Sequence, residues 1–247
     1  MPKAARAEAT RQRVLDAALA VYKAHGHEGF NVHAIVAESG VSLGSLYHHF
    51  GSMDGLAAAL YARSMSRLLD RVAAAISGAS SLHAGVSGIV QAYLTYARKQ
   101  RSAMSFIHAS AYASFLPAHK QQIQESKARM LEIHAFFAAH AAAGRIVEVP
   151  IALLEMLVIG PVAELTRRWL SDPSSLDLAL AERALPDRIV AAIEQRPPRS
   201  PPRPPAAGTA RDVHVDLSAA KRKRATTELH SSHQAHAGRS AAKRKRT

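Results

Sequence analysis

Residues 31–50 read NVHAIVAESGVSLGSLYHHF, and this stretch decides the fold. Asn31 can cap a helix by accepting from the free amides of its first turn. Val32 to Glu38 supplies about two helical turns, with Val32, Ile35 and Val36 on one face. Ser39-Gly40 ends it, because glycine takes the left-handed backbone without a steric penalty. Val41 is apolar and suited to plug the gap between two helices. Ser42 caps a second short helix, Leu43 to Phe50, and Ser52 caps a third after Gly51. Two short helices joined by a tight glycine turn form a helix-turn-helix. The second helix of such a unit lies in the DNA major groove.

Working outward, the apolar spacing stays helical. Upstream, Val14, Leu15, Ala18, Leu19 and Tyr22 make one stripe, stopped at Gly26. Downstream, a long helix runs from Met53 to Ser77-Gly78. Further helices are expected at Val86–Gln100, Met104–Phe115, Ala118–Ala143, Ile151–Leu170 and Leu176–Glu194. Pro150 sits where a first-turn proline belongs, and Pro186 marks a break in the last helix. About nine helices and no strand give an all-α protein.

Composition narrows the function. Of 247 residues none is cysteine. That excludes a disulfide scaffold, a thiolate metal site and a cysteine nucleophile. The net charge of +13 is unevenly placed: residues 196–247 alone hold +10. The globular part is therefore only mildly basic, and bulk charge is no argument for nucleic-acid binding. No signal-type or membrane-spanning stretch stands out. The expectation is a soluble intracellular protein with no membrane partner.

At Arg196 the composition changes to a proline-rich linker, 196–205, then to an Ala/Ser/His/Lys/Arg tail expected to be disordered. Ser-Ala-Ala-Lys-Arg-Lys-Arg occurs at 218–224 and again at 240–246. These clusters read as sequence-independent DNA anchors, as nuclear-import signals in a eukaryotic host, or as an appended tail.

Two chemical motifs are set aside. Gly40-Val41-Ser42-Leu43-Gly44 spells the hydrolase nucleophile elbow, but that chemistry needs a strand before the serine. The histidines, among them His25 with His27, His48 with His49, and His230, His233 and His236, lack metal-ligand spacing. No enzyme activity, metal or cofactor is expected.

Phe30 to Leu56 resembles the DNA-binding segment of the TetR family of bacterial regulators. The resemblance rests on Val32, Ile35, Ser39-Gly40-Val41-Ser42, Gly44, Leu46, Tyr47, His49-Phe50, Ser52 and Leu56. There are two departures. Met53 stands where the family often has lysine, so one phosphate contact is missing. Gly55 stands where a glutamate often closes a capping box, so the cap is weaker and the helix prone to fray.

The resemblance implies a homodimeric, ligand-responsive repressor that binds a palindromic operator. Its DNA-contacting set would be Asn31, Ser42, Leu43, Gly44, Ser45, Tyr47, His48 and His49, with Leu46 and Phe50 in the core. Residues 1–77 would be the DNA-binding domain, 78–195 the effector-binding and dimerisation domain, and 196–247 linker and tail. Effector-site candidates are His108, Tyr112, Phe136, Met156 and Trp169, each of which packing alone could also explain. The rival reading is a non-specific basic nucleic-acid binder driven by the tail.

Overall fold

The computed structural model describes residues 3–109 and 124–195. Among these the chain forms nine helices: α1 (Lys3–His25), α2 (Val32–Ser39), α3 (Leu43–Phe50), α4 (Met53–Ile76), α5 (Leu82–Lys99), α6 (Arg101–His108), α7 (Gln124–Ala142), α8 (Ile151–Ser171) and α9 (Leu178–Ile193). The one β feature among them is an isolated bridge between Ile146 and Glu194. The tail and Tyr112 lie outside the described residues, as do residues 110–115 of the expected Met104–Phe115 helix and the start of the Ala118–Ala143 helix; the described part of the former runs instead from Arg101 to His108, with Ala109 extended.

Several boundaries differ from the sequence reading. α1 begins at Lys3, a full ten residues before the apolar stripe. Its first turns are exposed and built of alanine, arginine, glutamate and glutamine, which favour helix without any buried face. α5 begins at Leu82 instead of Val86, because the Ser81 hydroxyl accepts from the Ala84 amide at 3.1 Å. Pro186 does not break α9, which runs through it with the ring buried. Pro161 is likewise inside α8. A proline gives up one backbone bond to the preceding turn, and here the packing of the flanking apolar residues carries each helix past it.

Two apolar cores share α4. Leu56, Ala57 and Leu60 pack with Val14, Leu15 and Ala18 of α1, Ile35 of α2 and Leu46 and Phe50 of α3. Further along α4, Leu68, Val72 and Ile76 join the α5 residues Val86, Ile89 and Leu94 and the buried faces of α7, α8 and α9. Phe106 of α6 belongs to the first core and is fully buried there. Its ring meets Tyr22 edge-on at 5.0 Å and Phe30 at 5.4 Å. Met104, two residues earlier, is buried in the second core. The short helix α6 thus reaches into both.

Candidate nucleic-acid interface

Each joint of the α2–α3 unit is fixed by a local polar contact. The Asn31 side chain accepts from the Ala34 amide at 3.0 Å and donates to the Gly29 carbonyl at 3.2 Å. Gly40 lies at φ +65° and its amide returns to the Val36 carbonyl at 3.0 Å. Val41 is buried between the helices. The Ser42 hydroxyl then accepts from the Ser45 amide at 3.1 Å, starting α3. These contacts satisfy amides that a short helix leaves open, so the turn angle follows from the sequence itself.

Leu46 and Phe50 of α3 point inward and its polar residues outward, with Leu43 the apolar exception. Leu46 and Phe50 are buried, while Ser42, Leu43, Gly44, Tyr47 and His48 are exposed. Leu43 and Tyr47 are each 41% exposed, large for side chains with so much carbon. Ser45 and His49 are half-buried on the flank. Asn31, at the start of α2, is exposed as well as capping. A face with one phenol, two imidazoles, hydroxyls and an apolar tip offers donors, acceptors and a methyl-sized contact. Those are the groups that read base edges and phosphates. Gly44 has no atom within 4 Å of where its Cβ would sit, so the face is flat at that point.

The start of α4 is held by one half of a capping box. The Ser52 hydroxyl accepts from the Gly55 amide at 2.9 Å. Gly55 has a reason of its own: any Cβ there would run into the carbonyl oxygen of Phe50. The glycine therefore lets α4 start hard against the end of α3.

Two partners of this unit were not visible in the sequence. Arg11 of α1 places its guanidinium 5.6 Å from the centre of the Phe50 ring. Arg63 of α4, nearly buried, bonds Asp16 at 2.7 Å and Gln12 at 3.1 Å on α1. Its position 51 and 47 residues away from those partners gives no local signal.

A separate cavity of about 210 Å³ opens in the second core. Met65, Leu69 and Val72 of α4, Phe137 of α7 and Val158 of α8 line it. Its polar groups are Tyr93, His134 and Glu155, the last two bonded to each other. The Tyr93 hydroxyl meets His108 Nε2 at 3.2 Å. Burial pushes the Tyr93 phenol above its ordinary range. Burial first, then the charge of Arg167, pulls the His108 imidazole down, against a smaller opposing pull from Glu164. Of the effector-site candidates, His108 touches this cavity through Tyr93. Phe136 packs against Gly85 and His140 instead, Met156 is 69% exposed, and Trp169 stacks under Arg101 at 5.1 Å. The lining residues Phe137 and Glu155 each stand one position from a candidate, Phe136 and Met156.

Comparison with known proteins follows the same division. Residues 14–60 match the family described as bacterial regulatory proteins, tetR family. The HTH-type transcriptional regulator SrpR of Pseudomonas putida is 43% identical over 68 residues, 27% of this chain and 32% of that protein. The HTH-type transcriptional regulator UidR of Escherichia coli is 33% identical over 84 residues, 34% of this chain and 43% of that protein. The match thus spans less than half the length of these curated relatives. Among solved structures, a TetR family transcription regulator from Marinobacter aquaeolei superposes with a TM-score of 0.62. It is 17% identical and covers 77% of this chain and 98% of that one. The transcriptional regulator FadR from Bacillus subtilis, in complex with stearoyl-CoA, gives 0.62 at 18% identity, over 74% of this chain and 98% of that one. At such identities the likeness is one of fold.

Proposed function

Residues 14–60 place this chain in the TetR family of bacterial regulatory proteins, and from that premise we propose that it is a sequence-specific transcriptional repressor. The observation that carries the reading is the outward face of α3, capped and angled by the α2–α3 turn. Ser42, Leu43, Ser45 and His48 would meet base edges or nearby backbone. Tyr47 and His49 would meet phosphate, and Gly44 would allow close approach. Asn31 would meet the backbone at the start of α2, where open amides favour an anion. Residues 1–77 act as the reading domain and 78–195 as the effector and pairing domain.

Pairing is supported by α8 and α9, which leave Leu153, Met156 and Leu180 exposed on the sides away from the core. Two copies joined there form a homodimer that sets its recognition helices about one DNA turn apart, roughly 34 Å, and so favours a palindrome. The cavity between α4, α5, α7 and α8 takes a small apolar effector. The Bacillus subtilis neighbour's acyl-CoA ligand is in keeping with an apolar one. Because α4 lines both the cavity and the first core, an effector that prefers one tilt of α4 shifts the spacing of the two recognition helices. It can do so only by its difference in affinity for the two states, typically about 1–3 kcal/mol. No helix of the described residues is long and apolar enough to cross a membrane, and the protein acts in the bacterial cytoplasm.

Binding-site selection from random duplex DNA tests this. One palindrome should be enriched by the full chain and by residues 1–195, and lost in Tyr47→Ala with folding intact. A folded dimer that enriches no sequence would leave the basic tail, and non-specific binding, as the surviving account.

A further inference from the structure

Between Lys23 and Arg63 the chain has no lysine or arginine. That interval contains all of α2, the turn and α3. Over residues 1–60, five lysines and arginines are balanced by five aspartates and glutamates. Double-stranded DNA carries a negative charge every ~1.7 Å of its axis. α2, the turn and α3 therefore bring no permanent cation of their own to the surface proposed to meet it.

What it has is imidazole. His33 is exposed in the first turn of α2, His48 is exposed on α3, and His49 is half-buried beside it. The rings of His48 and His49 stand edge to face, 5.5 Å apart. The charged groups lie on the elements packed against α3. Glu38 ends α2, Asp54 stands in the first turn of α4, Arg11 of α1 lies over the Phe50 ring and Arg63 of α4 is paired with Asp16 of α1, while the remaining charges of α1 and the later Arg67, Asp70 and Arg71 of α4 lie further along those helices. Among the described residues none of the three histidines has an ion-pair partner.

Resting on the regulator reading above, we propose that His33, His48 and His49 bind DNA phosphate as imidazolium, so that operator binding takes up protons. A phosphate beside an imidazole favours its charged form. The attraction is present below the pKa of the bound state and is lost as pH rises through it. Histidine is the side chain whose ordinary value, about 6.5, places that window across neutrality. Acidification thus tightens the grip of this regulator on its site.

The test uses the full chain and the palindromic duplex recovered by selection, read by fluorescence anisotropy. Binding is compared at about pH 6 and about pH 8, at a fixed salt of about 0.15 M. The expected result is a dissociation constant about tenfold lower or more at the acid end. His33→Gln with His48→Gln and His49→Gln should bring the two values to within about twofold of each other. His33→Arg should bind more tightly than the parent at about pH 8, a gain that a misfolded variant could not give. Replacing His230, His233 and His236 by glutamine should leave the pH difference in place. Equal affinity at both pH values overturns the proposal, as does a difference that survives the three glutamines or vanishes with the tail histidines. Those results differ from failure of the regulator reading itself, in which no palindrome is recovered at either pH and both fall.

Discussion

Gly40 and Gly55 are both required by the helix-turn-helix, for different physical reasons. Gly40 sits at φ +65° with open space around its missing Cβ, so the cost of a side chain there is purely conformational. Gly40→Ala should cost about 1 kcal/mol. Gly55 lies in ordinary helix but faces the Phe50 carbonyl. Gly55→Ala must push α4 off α3 and should cost more, about 1–3 kcal/mol. Urea denaturation of the two variants checks the order, and equal losses would refute the steric account of Gly55. The caps of Asn31, Ser42 and Ser52 were legible in the sequence because a cap lies within three residues of the amide it serves. Gly55 was legible only as the loss of a capping carboxylate. Its close approach to Phe50 depends on the angle between two helices, which spacing does not encode. α4 starts at Met53 with its serine cap formed despite the missing carboxylate.

At the scale of the element, α6 carries the most information per residue. Met104 and Phe106 are both fully buried, in different cores. Tyr22 donates its hydroxyl to the Ser105 carbonyl at 3.5 Å, between the two. Arg101, at the other end, bonds the Leu170 carbonyl at 3.1 Å and lies over Trp169 of α8. Phe106→Ala removes a ring from a dry site and should destabilise the protein by about 3–5 kcal/mol. Calorimetry on the full chain would show it, and a loss below about 1 kcal/mol would mean that the site closes over or was never tight. The sequence placed a helix here but not its role. An eight-residue helix has too few turns to reveal by periodicity which of two cores each face enters. Elements with long apolar stripes, such as α4 and α8, were legible almost to their ends. The first ten residues of α1 were not, since an exposed helix leaves no stripe to read.

At the scale of the molecule, charge and acid sensitivity are unevenly spread. His140 is buried, with its Nδ1 lacking a hydrogen-bond partner among the described residues. Burial lowers its pKa, with a smaller contribution from Arg145, and His108 is lowered in the same direction. The sign follows from linkage. An unfolded histidine takes its proton first as pH falls, so the stability these groups contribute is full above about pH 6.5 and declines below it. The melting temperature should therefore fall between about pH 7 and about pH 5. In His140→Leu, which removes one such group at similar volume, the fall should be smaller, and a fall as large as in the parent would show that acid acts elsewhere. If the preceding proposal holds, acid tightens DNA binding while loosening the core. The two effects are separable because they reside on different helices. The net +10 of residues 196–247 belongs to neither, and its contribution to DNA affinity should weaken steeply with salt.

The burial of Phe106 in the first core, against Tyr22 of α1 and Phe30 just before α2, has a consequence for modularity. A fragment cut from this chain after α4 would expose the aromatic faces of Tyr22 and Phe30 to water. On the proposed division into a reading and an effector domain, a domain swap that keeps the first core closed carries α6 with the reader or supplies an equivalent ring from the new host.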